Sequence, residues 1–218
     1  MVFKNISTEK QSLYRLKENE RVVFFMLNRS GELAFELTGT GAEAHIFSFF
    51  IGHGVDKAIL KIIQRHLAPQ TASHALIKSV LSDEAESAYE GLIFIDKQAM
   101  QSDASQESRS ILLSPHAKVS MKPTLEILAD DVRCRHAATA SPLNQEALFF
   151  AESRGLSPNQ ASKMLIMGFF NDTLLKMEAL GVNTEIIKKD VGYQIEIQST
   201  KLQAPNKSKI SNSKTLSI

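Results

Sequence analysis

The 218 residues include a single cysteine, Cys134, so no disulfide can form within the chain. This composition fits a reducing compartment, and we expect a cytoplasmic protein. The N-terminal sequence, MVFKNISTEKQSLY, lacks the apolar core of a signal peptide. The longest apolar run, VVFFML at residues 22–27, is far too short to cross a bilayer. The sequence therefore predicts neither a signal peptide nor insertion into a membrane.

Several catalytic signatures are also missing. The sequence has no G-x-x-x-x-G-K-[ST] phosphate-binding loop, so we expect any linked nucleotide hydrolysis to belong to another subunit. The histidines show no H-E-x-x-H or similar ligand spacing, and no G-x-S-x-G turn marks a serine nucleophile. The formal net charge of +1 gives no general attraction to nucleic acid or membrane. These absences argue against the commonest self-contained hydrolases and against nucleic-acid-binding proteins.

Apolar or alternating segments of strand length follow one another closely between residues 22 and 134. They recur roughly every 16 residues, which leaves no room for the crossover helices of a βαβ fold. The pattern predicts a mainly β protein, and a sandwich, a barrel or a parallel β-helix would each fit it. In a β-helix each strand would lie about 4.8 Å from the one before it. The segments are RVVFFML, ELAFELTG, HIFSFFIG, KAILKIIQRH, HALIKSVL, YEGLIFID, SRSILLS and LEILADDV.

The fourth of these segments, KAILKIIQRH, is the weakest strand assignment. Its apolar residues Ala58, Ile59, Ile62 and Ile63 have helical spacing. We interpret it as a strand because the segments on both sides of it are strands.

The sequence after residue 142 changes to helical patterns. LNQEALFFAESRG places apolar residues on one helical face and stops at Gly155. Ser157 then has the properties of an N-cap, with Pro158 at the first helical position and Gln160 as the capping-box partner. The second helix carries a broad apolar stripe that must cover something. The stripe consists of Ala161, Met164, Leu165, Gly168, Phe169 and Leu175.

The C-terminal segment differs from both regions. GYQIEIQST alternates between apolar and polar residues, which predicts a lone strand. From Gln198 onward the chain is rich in Ser, Asn and Lys, and this composition is typical of a disordered tail.

The stretch ADDVRCRHAATA places the single cysteine two residues before a histidine. On a strand, Cys134 and His136 would project to the same face and could reach one metal ion. Two ligands are only half a site, because iron–sulfur clusters usually take about four protein ligands and zinc sites three or four. Any cluster would therefore be shared with another chain. A buried thiol beside a hydrogen-bonded histidine is the alternative, and the pattern alone leaves both interpretations open.

An ordered set of residues over about 80 positions resembles the C-terminal part of the SufB/SufD family of iron–sulfur cluster assembly proteins, and SufD in particular. The resemblance lies in YEGLIFIDKQAMQSDASQESRSILLSPHAKVSMKPTLEILADDVRCRHAAT and in LFFAESRGLSPNQASKMLIMGFF. Its recognisable residues include Tyr89 and Gly91, Asp103-Ala104 with Gln106, Asp130-Asp131-Val132, Cys134, His136, and Ser153-Arg154-Gly155.

The resemblance implies a right-handed parallel β-helix followed by a C-terminal α-helical pair. We accordingly divide the chain into three parts. Residues 1–141 form the β-helix, residues 142–181 form the helical region, and residues 182–218 form a short strand and a disordered tail.

The resemblance also implies a function. It describes a non-catalytic scaffold subunit of a SufBCD-type complex, which pairs with a SufB-like subunit or a second copy of itself and docks a SufC-like ATPase. A transient iron–sulfur cluster would form at the subunit interface, with His136 and its companion Cys134 as ligands and with no cluster bound by this chain alone. Neither nucleic acid nor membrane is an expected partner, and an organellar member would work in a plastid stroma or a similar space. The helix residues expected to face the ATPase are Leu148, Phe149, Met164, Leu165 and Phe169.

Two other functions stay open. A stand-alone β-helix enzyme could use Asp130, Asp131 and His136 for acid–base chemistry on a small molecule or sugar. A purely structural adaptor would keep Cys134 and His136 as core residues.

Overall fold

A computed structural model of the protein describes residues 1–202. It contains strands followed by helices, and the prediction of a mainly β chain that ends in helices is confirmed. The strands are β1 (Val2–Asn5), β2 (Leu13–Leu16), β3 (Arg21–Leu27), β4 (Gly31–Leu37), β5 (Glu43–Gly52), β6 (Lys57–His66), β7 (Ala72–Leu81), β8 (Glu86–Ile95), β9 (Ser102–Leu112), β10 (Lys118–Ile127) and β11 (Val132–Pro142). The helices are α1 (Gln145–Ser153), α2 (Pro158–Ala179) and α3 (Glu185–Leu202).

All strand pairs are parallel and belong to two sheets that form a β-helix. The six-stranded sheet has the order β1-β3-β5-β7-β9-β11, and the five-stranded sheet has the order β10-β8-β6-β4-β2. Successive strands thus alternate between the sheets, and each strand stacks on the next but one. The prediction that each strand stacks on its immediate predecessor is wrong, because one coil contains two strands. Register partners such as Glu43, Ala72 and Asp103 are accordingly roughly 30 residues apart.

The main hydrophobic core lies between the two sheets. Side chains alternate along each strand, so every second residue enters this interior. In the first coils the interior is aromatic and aliphatic, with the rings of Tyr14, Phe24 and Phe35 only 4.9 to 5.3 Å apart between centroids. This core includes Leu33, Ile46 and Ile62, all buried.

A second core joins the helices to the outer face of the six-stranded sheet. Phe49 of β5 packs on Phe170 of α2, with 4.6 Å between ring centroids. Leu174, Met177 and Val191 extend the same cluster. The middle strands of this sheet are therefore covered on both faces, which explains why RVVFFML and HIFSFFIG are nearly continuous apolar runs.

A buried lysine also fastens α2 to the sheet. Lys78 of β7 is 1% exposed, and its ammonium donates to the Asp172 carboxylate and to the Phe169 carbonyl. The same ammonium lies 4.4 Å from the centroid of the Phe169 ring. Burial lowers the pKa of Lys78, and the hydrogen bond and charge of Asp172 oppose that shift. The ion pair thus fixes α2 against β7 at Lys78.

The uncertain segment KAILKIIQRH is a strand, β6, as predicted. Its inward residues include Gln64 and His66, both fully buried. Ile59, by contrast, is 65% exposed. The apolar spacing looked helical because two of the inward positions are polar.

The helical region contains three helices where a pair was predicted. The capping box at Ser157 and Gln160 is present as expected, and α1 is followed by Gly155 at a positive φ. The strand predicted for GYQIEIQST is wrong, because these residues lie within α3. Over residues 185–197, the buried residues of α3 are Ile187, Val191 and Ile195, four apart, and they pack in the second core. The predicted disordered tail is helical as far as residue 202, and the rest of it lies outside the described residues.

The buried face of α2 also differs from the predicted stripe. Ala161 is buried as expected, but Met164 is 48% exposed and Leu175 is 54% exposed. Ile166, Phe170, Leu174 and Met177 form the covered face instead. Apolar residues occur on several sides of this helix, so their spacing does not reveal which side meets the sheet.

Candidate functional site

Cys134 and His136 lie on β11, the last strand of the six-stranded sheet. β11 pairs with β9, and no other strand within residues 1–202 lies along its opposite edge. In the parallel register, Cys134 lies beside Ala104 and His136 lies beside Gln106, and both neighbours are buried inside the stack. The two side chains therefore point to the inner side of the last coil. His136 is exposed and Cys134 is half-buried because no further coil covers them.

The surroundings of Cys134 shift the pKa of its thiol. The residue packs with Leu125 and Val132 at the margin of a small apolar cluster. Burial raises the pKa of the Cys134 thiol, the negative charge of Asp103 raises it further, and a hydrogen bond with the Arg135 backbone opposes the shift. The thiol of the free chain is therefore protonated at neutral pH. Metal ligation needs the thiolate, so binding must be accompanied by loss of this proton.

The pair is not a complete metal site. Within the described part of the chain, no three His, Cys, Asp or Glu side chains converge as a metal-binding group. Cys134 and His136 supply two donors of the kinds that iron and zinc accept. Additional donors can reach them because the coil end is open. The geometry is that of a half-site.

A buried polar group crosses the interior one coil below His136. The Tyr89 hydroxyl donates to Gln106 Oε1 at 3.1 Å, and Gln106 Nε2 donates to the Thr124 carbonyl at 3.4 Å. A Cβ on Gly91 would lie 1.8 Å from Gln106 Oε1, so glycine leaves the space that this amide needs. Burial raises the pKa of the Tyr89 phenol, which keeps it a donor. Tyr89, Gly91 and Gln106, noted in the sequence as separate motif residues, are thus one structural unit.

A second polar group lies deeper in the interior. His66 Nδ1 is 2.7 Å from the Thr71 hydroxyl, and His66 Nε2 is 2.7 Å from the Ser73 hydroxyl. Ser73 also accepts from Gln64 Nε2 at 2.7 Å, and the Thr71 hydroxyl lies 2.8 Å from that of Ser102. Burial lowers the pKa of His66 to about 4, with a smaller effect from the charge of His74. The sequence analysis missed this group, and its only signal was polar residues at alternate positions of β6.

The structure does not support the acid–base alternative. Asp130 and Asp131 are exposed and precede β11, whereas His136 lies five residues farther along an extended strand. That separation corresponds to about 16 Å. Even acid and base groups that act on different atoms of one small substrate lie closer together than this, so the extended strand does not bring these residues together as an acid–base pair.

The predicted partner-binding residues of the helices fall into two sets. Phe149 and Met164 are 74% and 48% exposed. Leu148, Leu165 and Phe169 are partly buried against the second core. The sequence analysis did not include Phe150, which is 61% exposed beside Phe149, with the Arg154 guanidinium 5.0 Å from its ring centroid. Two neighbouring phenylalanines of α1 are therefore exposed to solvent.

A groove separates the helices from the end of the last coil. Its volume is about 580 Å³, and its walls include Leu113, Pro142, Leu148 and Lys163. The groove places the β11 end and α1 side by side.

Between residues 1 and 202, no helix is both long and apolar enough to span a membrane.

Comparison with known proteins gives consistent matches. Residues 24–169 match the family model described as SUF system FeS cluster assembly, SufBD core domain. The chain is 37% identical over 117 residues to the chloroplastic protein ABCI7 of Arabidopsis thaliana, an alignment covering 53% of this chain and 24% of that protein. It is 31% identical over 117 residues to the iron–sulfur cluster assembly protein SufD of Escherichia coli, covering 54% and 28%. With a SufBD family protein of Synechocystis it shares 30% over 170 residues, covering 78% and 37%. The chain thus spans only about a quarter to somewhat over a third of these relatives.

Proposed function

Because the chain belongs to the SufBD core-domain family of the SUF iron–sulfur cluster assembly system, we propose that it is a non-catalytic scaffold subunit. The nascent cluster is its cargo, which is built at a subunit interface and then passed to other proteins. One observation carries the proposal. Cys134 and His136 share the inner face of an open edge strand, and within residues 1–202 no third ligand converges with them, which leaves the remaining ligands to a second chain.

The chemistry of the two side chains suits a shared and transient site. A neutral imidazole nitrogen of His136 would bind iron directly. Cys134 becomes a ligand only after its thiol loses a proton, and the raised pKa of this thiol resists that loss in the free chain. A cation or a bound iron at the interface lowers the pKa of a nearby thiol. Ligation by Cys134 is therefore coupled to assembly.

The second chain in this proposal is a SufB-like subunit, with a second copy of this chain as the alternative. β10 and β11 both end their sheets with a free edge in the described structure. An exposed edge strand offers a full row of main-chain donors and acceptors to an added strand. Pairing there would cover His136 and exclude water from the cluster.

An apolar surface on the helices is the proposed docking site for a SufC-like ATPase. Phe149 and Phe150 of α1, with Met164 of α2, would enter an apolar groove of the ATPase. Replacing Phe149 with aspartate should abolish co-elution with the ATPase. Tyr193→Asp is the matched control, since Tyr193 is 67% exposed on α3. Assembly in a reducing compartment, the cytoplasm or a plastid stroma, would keep Cys134 a free thiol.

The main test is the variant His136→Ala in a complex with a SufB-like subunit and the ATPase. After anaerobic reconstitution, we expect at least a tenfold loss of bound iron and acid-labile sulfide per complex, about 1.4 kcal/mol or more in cluster binding. The composition of the complex, measured by native mass, should not change. His116→Ala is the control, because His116 is an exposed histidine in the turn before β10. An unchanged iron and sulfide content in an intact His136→Ala complex would refute the ligand role.

A further inference from the structure

Two histidines lie side by side on the outer face of the six-stranded sheet, the face opposite Cys134 and His136. His45 of β5 and His74 of β7 are register partners, and their ring centroids are 5.3 Å apart. A metal ion bound about 2.1 Å from one nitrogen of each of two imidazoles holds the ring centroids roughly 4.5–5.5 Å apart. The spacing of the two rings is therefore that of two ligands of one metal ion.

Hydrogen bonds orient both imidazoles through one nitrogen of each ring. His45 Nε2 lies 2.6 Å from Glu43 Oε1, and a carboxylate can only accept, so the proton of the neutral ring is on Nε2. His74 Nδ1 lies 2.8 Å from the Ser105 hydroxyl, which can accept its proton. Among the described residues, His45 Nδ1 and His74 Nε2 have no hydrogen-bond partner. Metal-binding histidines are usually held in this way, by a partner on the other ring nitrogen.

A pocket of about 320 Å³ lies beside both rings, between the six-stranded sheet and the end of α2. Its apolar walls include Phe47, Leu76 and Leu180. The pocket leaves room for an ion and for the water molecules that would complete its coordination shell. An ion bound here would link β5 to β7 beside the end of α2.

The protonation state of His74 suits a metal ligand. Burial lowers the pKa of His74, the charge of His45 lowers it further, and the carboxylates of Asp103 and Glu43 oppose the shift. A neutral imidazole is the form that binds a metal ion. At neutral pH, His74 can therefore bind without first losing a proton.

The charges near the pair do not by themselves choose between a cation and an anion. Glu107 lines the pocket and is hydrogen-bonded to Arg109, and Lys176 lines it as well. Asp103 Oδ1 is buried and lacks a hydrogen-bond partner within the described part of the chain, with the Arg135 guanidinium 3.7 Å away. The lone pairs of the two imidazoles make the choice, because a lone pair binds a metal ion and repels an anion.

We infer that His45 and His74 bind one divalent transition-metal ion of the kind that imidazole prefers, such as Zn²⁺ or Fe²⁺. Water molecules complete its shell, and Glu107 becomes a third protein ligand only if its side chain turns toward the pair. Within residues 1–202 no three metal-binding side chains already converge, which agrees with a site of two protein ligands. Two ligands hold a metal less tightly than the three or four of a zinc enzyme or a zinc finger, so the ion is exchangeable.

Zinc titration by isothermal calorimetry tests the site in the full, untagged chain after treatment with a chelator. The parent for these measurements carries Cys134→Ala and His136→Ala, so that this other pair of donors cannot bind the metal. We expect it to bind one zinc ion per chain with a Kd in the micromolar range. His74→Asn keeps a nitrogen donor for Ser105 but removes Nε2, and it should weaken binding at least about tenfold.

His45→Gln is the matching change on β5. Its amide nitrogen can replace Nε2 beside Glu43, while the nitrogen that faces the metal is lost, so binding should weaken by a similar factor. His116→Asn is the control, because His116 is exposed in the turn before β10, and it should leave the affinity unchanged. A parent that does not bind zinc, a loss confined to one of the two histidines, or an equal loss in the control overturns the inference.

Circular dichroism without zinc checks that each variant folds. Should one of them fail, nitrogen NMR of the parent decides, because zinc should shift the resonances of His45 Nδ1 and His74 Nε2. Shifts at other histidines alone would contradict the site. The inference does not rest on the proposed function, and no partner chain or cluster takes part in these measurements. A negative result would therefore leave the scaffold proposal untouched.

Discussion

The two ends of the β-helix interior differ in chemistry. The first coils enclose Phe24, Phe35 and other large apolar side chains, while the later coils enclose Gln64, His66 and Gln106 in the same space between the sheets. Buried polar groups cost free energy unless they are hydrogen-bonded, and bonded ones contribute only about 0.5–1.5 kcal/mol each. The apolar end therefore contributes most of the stability of the β-helix.

We expect the polar end to specify the register of the strands instead. Several of its polar groups are hydrogen-bonded to residues outside their own strand, such as Gln106 to Tyr89 and His66 to Thr71, whereas the buried Gln64 Oε1 has no hydrogen-bond partner among the described residues. A shift of register would leave several of these groups unpaired in the interior, where their desolvation would not be offset. The polar coils also lead directly to the open coil with Cys134 and His136. We expect the added polarity to fix the position of that coil.

The largest expected effect lies at the apolar end. Replacing Phe35 with alanine should lower the free energy of unfolding by about 3–5 kcal/mol, because a fully buried ring is lost. Leu125→Ala, in the partly buried last coil, should cost no more than about half of that. Urea denaturation of both variants measures the difference. Equal losses would mean that the last coil contributes as much stability as the first ones.

The second effect is a pH dependence that originates at the polar end. Burial lowers the pKa of His66 to about 4 from an ordinary value of 6.5, so the unfolded chain binds its proton first. The contribution of neutral His66 to the free energy of unfolding is complete above pH 6.5 and is lost as the pH falls toward 4. The loss should be on the order of 3 kcal/mol. The measurement is the free energy of unfolding from pH 7 to pH 4.

His66→Gln isolates this contribution. The variant should lose the slope between pH 6.5 and 4, whatever its stability at pH 7. His74, whose pKa burial also lowers, is present in both proteins and cancels in the difference. Glu36 has a lowered pKa, since hydrogen bonds from Arg15 and Arg65 outweigh the raising effect of burial, and it acts mainly below pH 4.5. An unchanged slope in His66→Gln would show that the buried imidazole does not set the pH dependence.

The same comparison shows what sequence could predict. Apolar runs of strand length reveal a β stack because covered strands are apolar on both faces, as in β3 and β5. The polar interior could not be found in this way, because Gln64 and His66 look like solvent-facing residues until their partners on neighbouring coils are known. In α3, Tyr193, Ile195 and Ile197 alternate with polar residues as in a strand. The segment is nevertheless a helix, which packs Ile195 in the second core.

The candidate site was predictable only in part. Two residues apart on a strand, Cys134 and His136 had to share a face, and a half-site was the direct consequence. That the strand forms a free edge depends on which strands stack, and pairing between residues roughly 30 apart leaves no local signal. The position of Gln106 beside His136 depends on the same long-range register.

The smallest expected effect tests whether the polar end serves the site. In Gly91→Ala the new methyl would lie 1.8 Å from Gln106 Oε1 and 2.6 Å from the Tyr89 hydroxyl. The amide must move and lose its bond to Tyr89, at a cost of about 1–3 kcal/mol in the free energy of unfolding. Gln106→Ala alone leaves the Tyr89 hydroxyl without its acceptor and should cost a similar amount.

The double variant Gly91→Ala with Gln106→Ala decides between two explanations. If the clash with Gln106 causes the loss, removing the amide relieves it, and the double variant should be more stable than the sum of the single changes predicts by about 1 kcal/mol or more. Additivity within about 0.5 kcal/mol would instead mean that Gly91 acts through its own backbone.

The cluster yield of reconstituted complexes tests the effect on function. Because Gln106 lies in register with His136, a displaced amide should lower cluster yield in folded Gly91→Ala complexes, whereas Ser79→Ala, a change of similar size at another buried polar pair, should leave it unchanged.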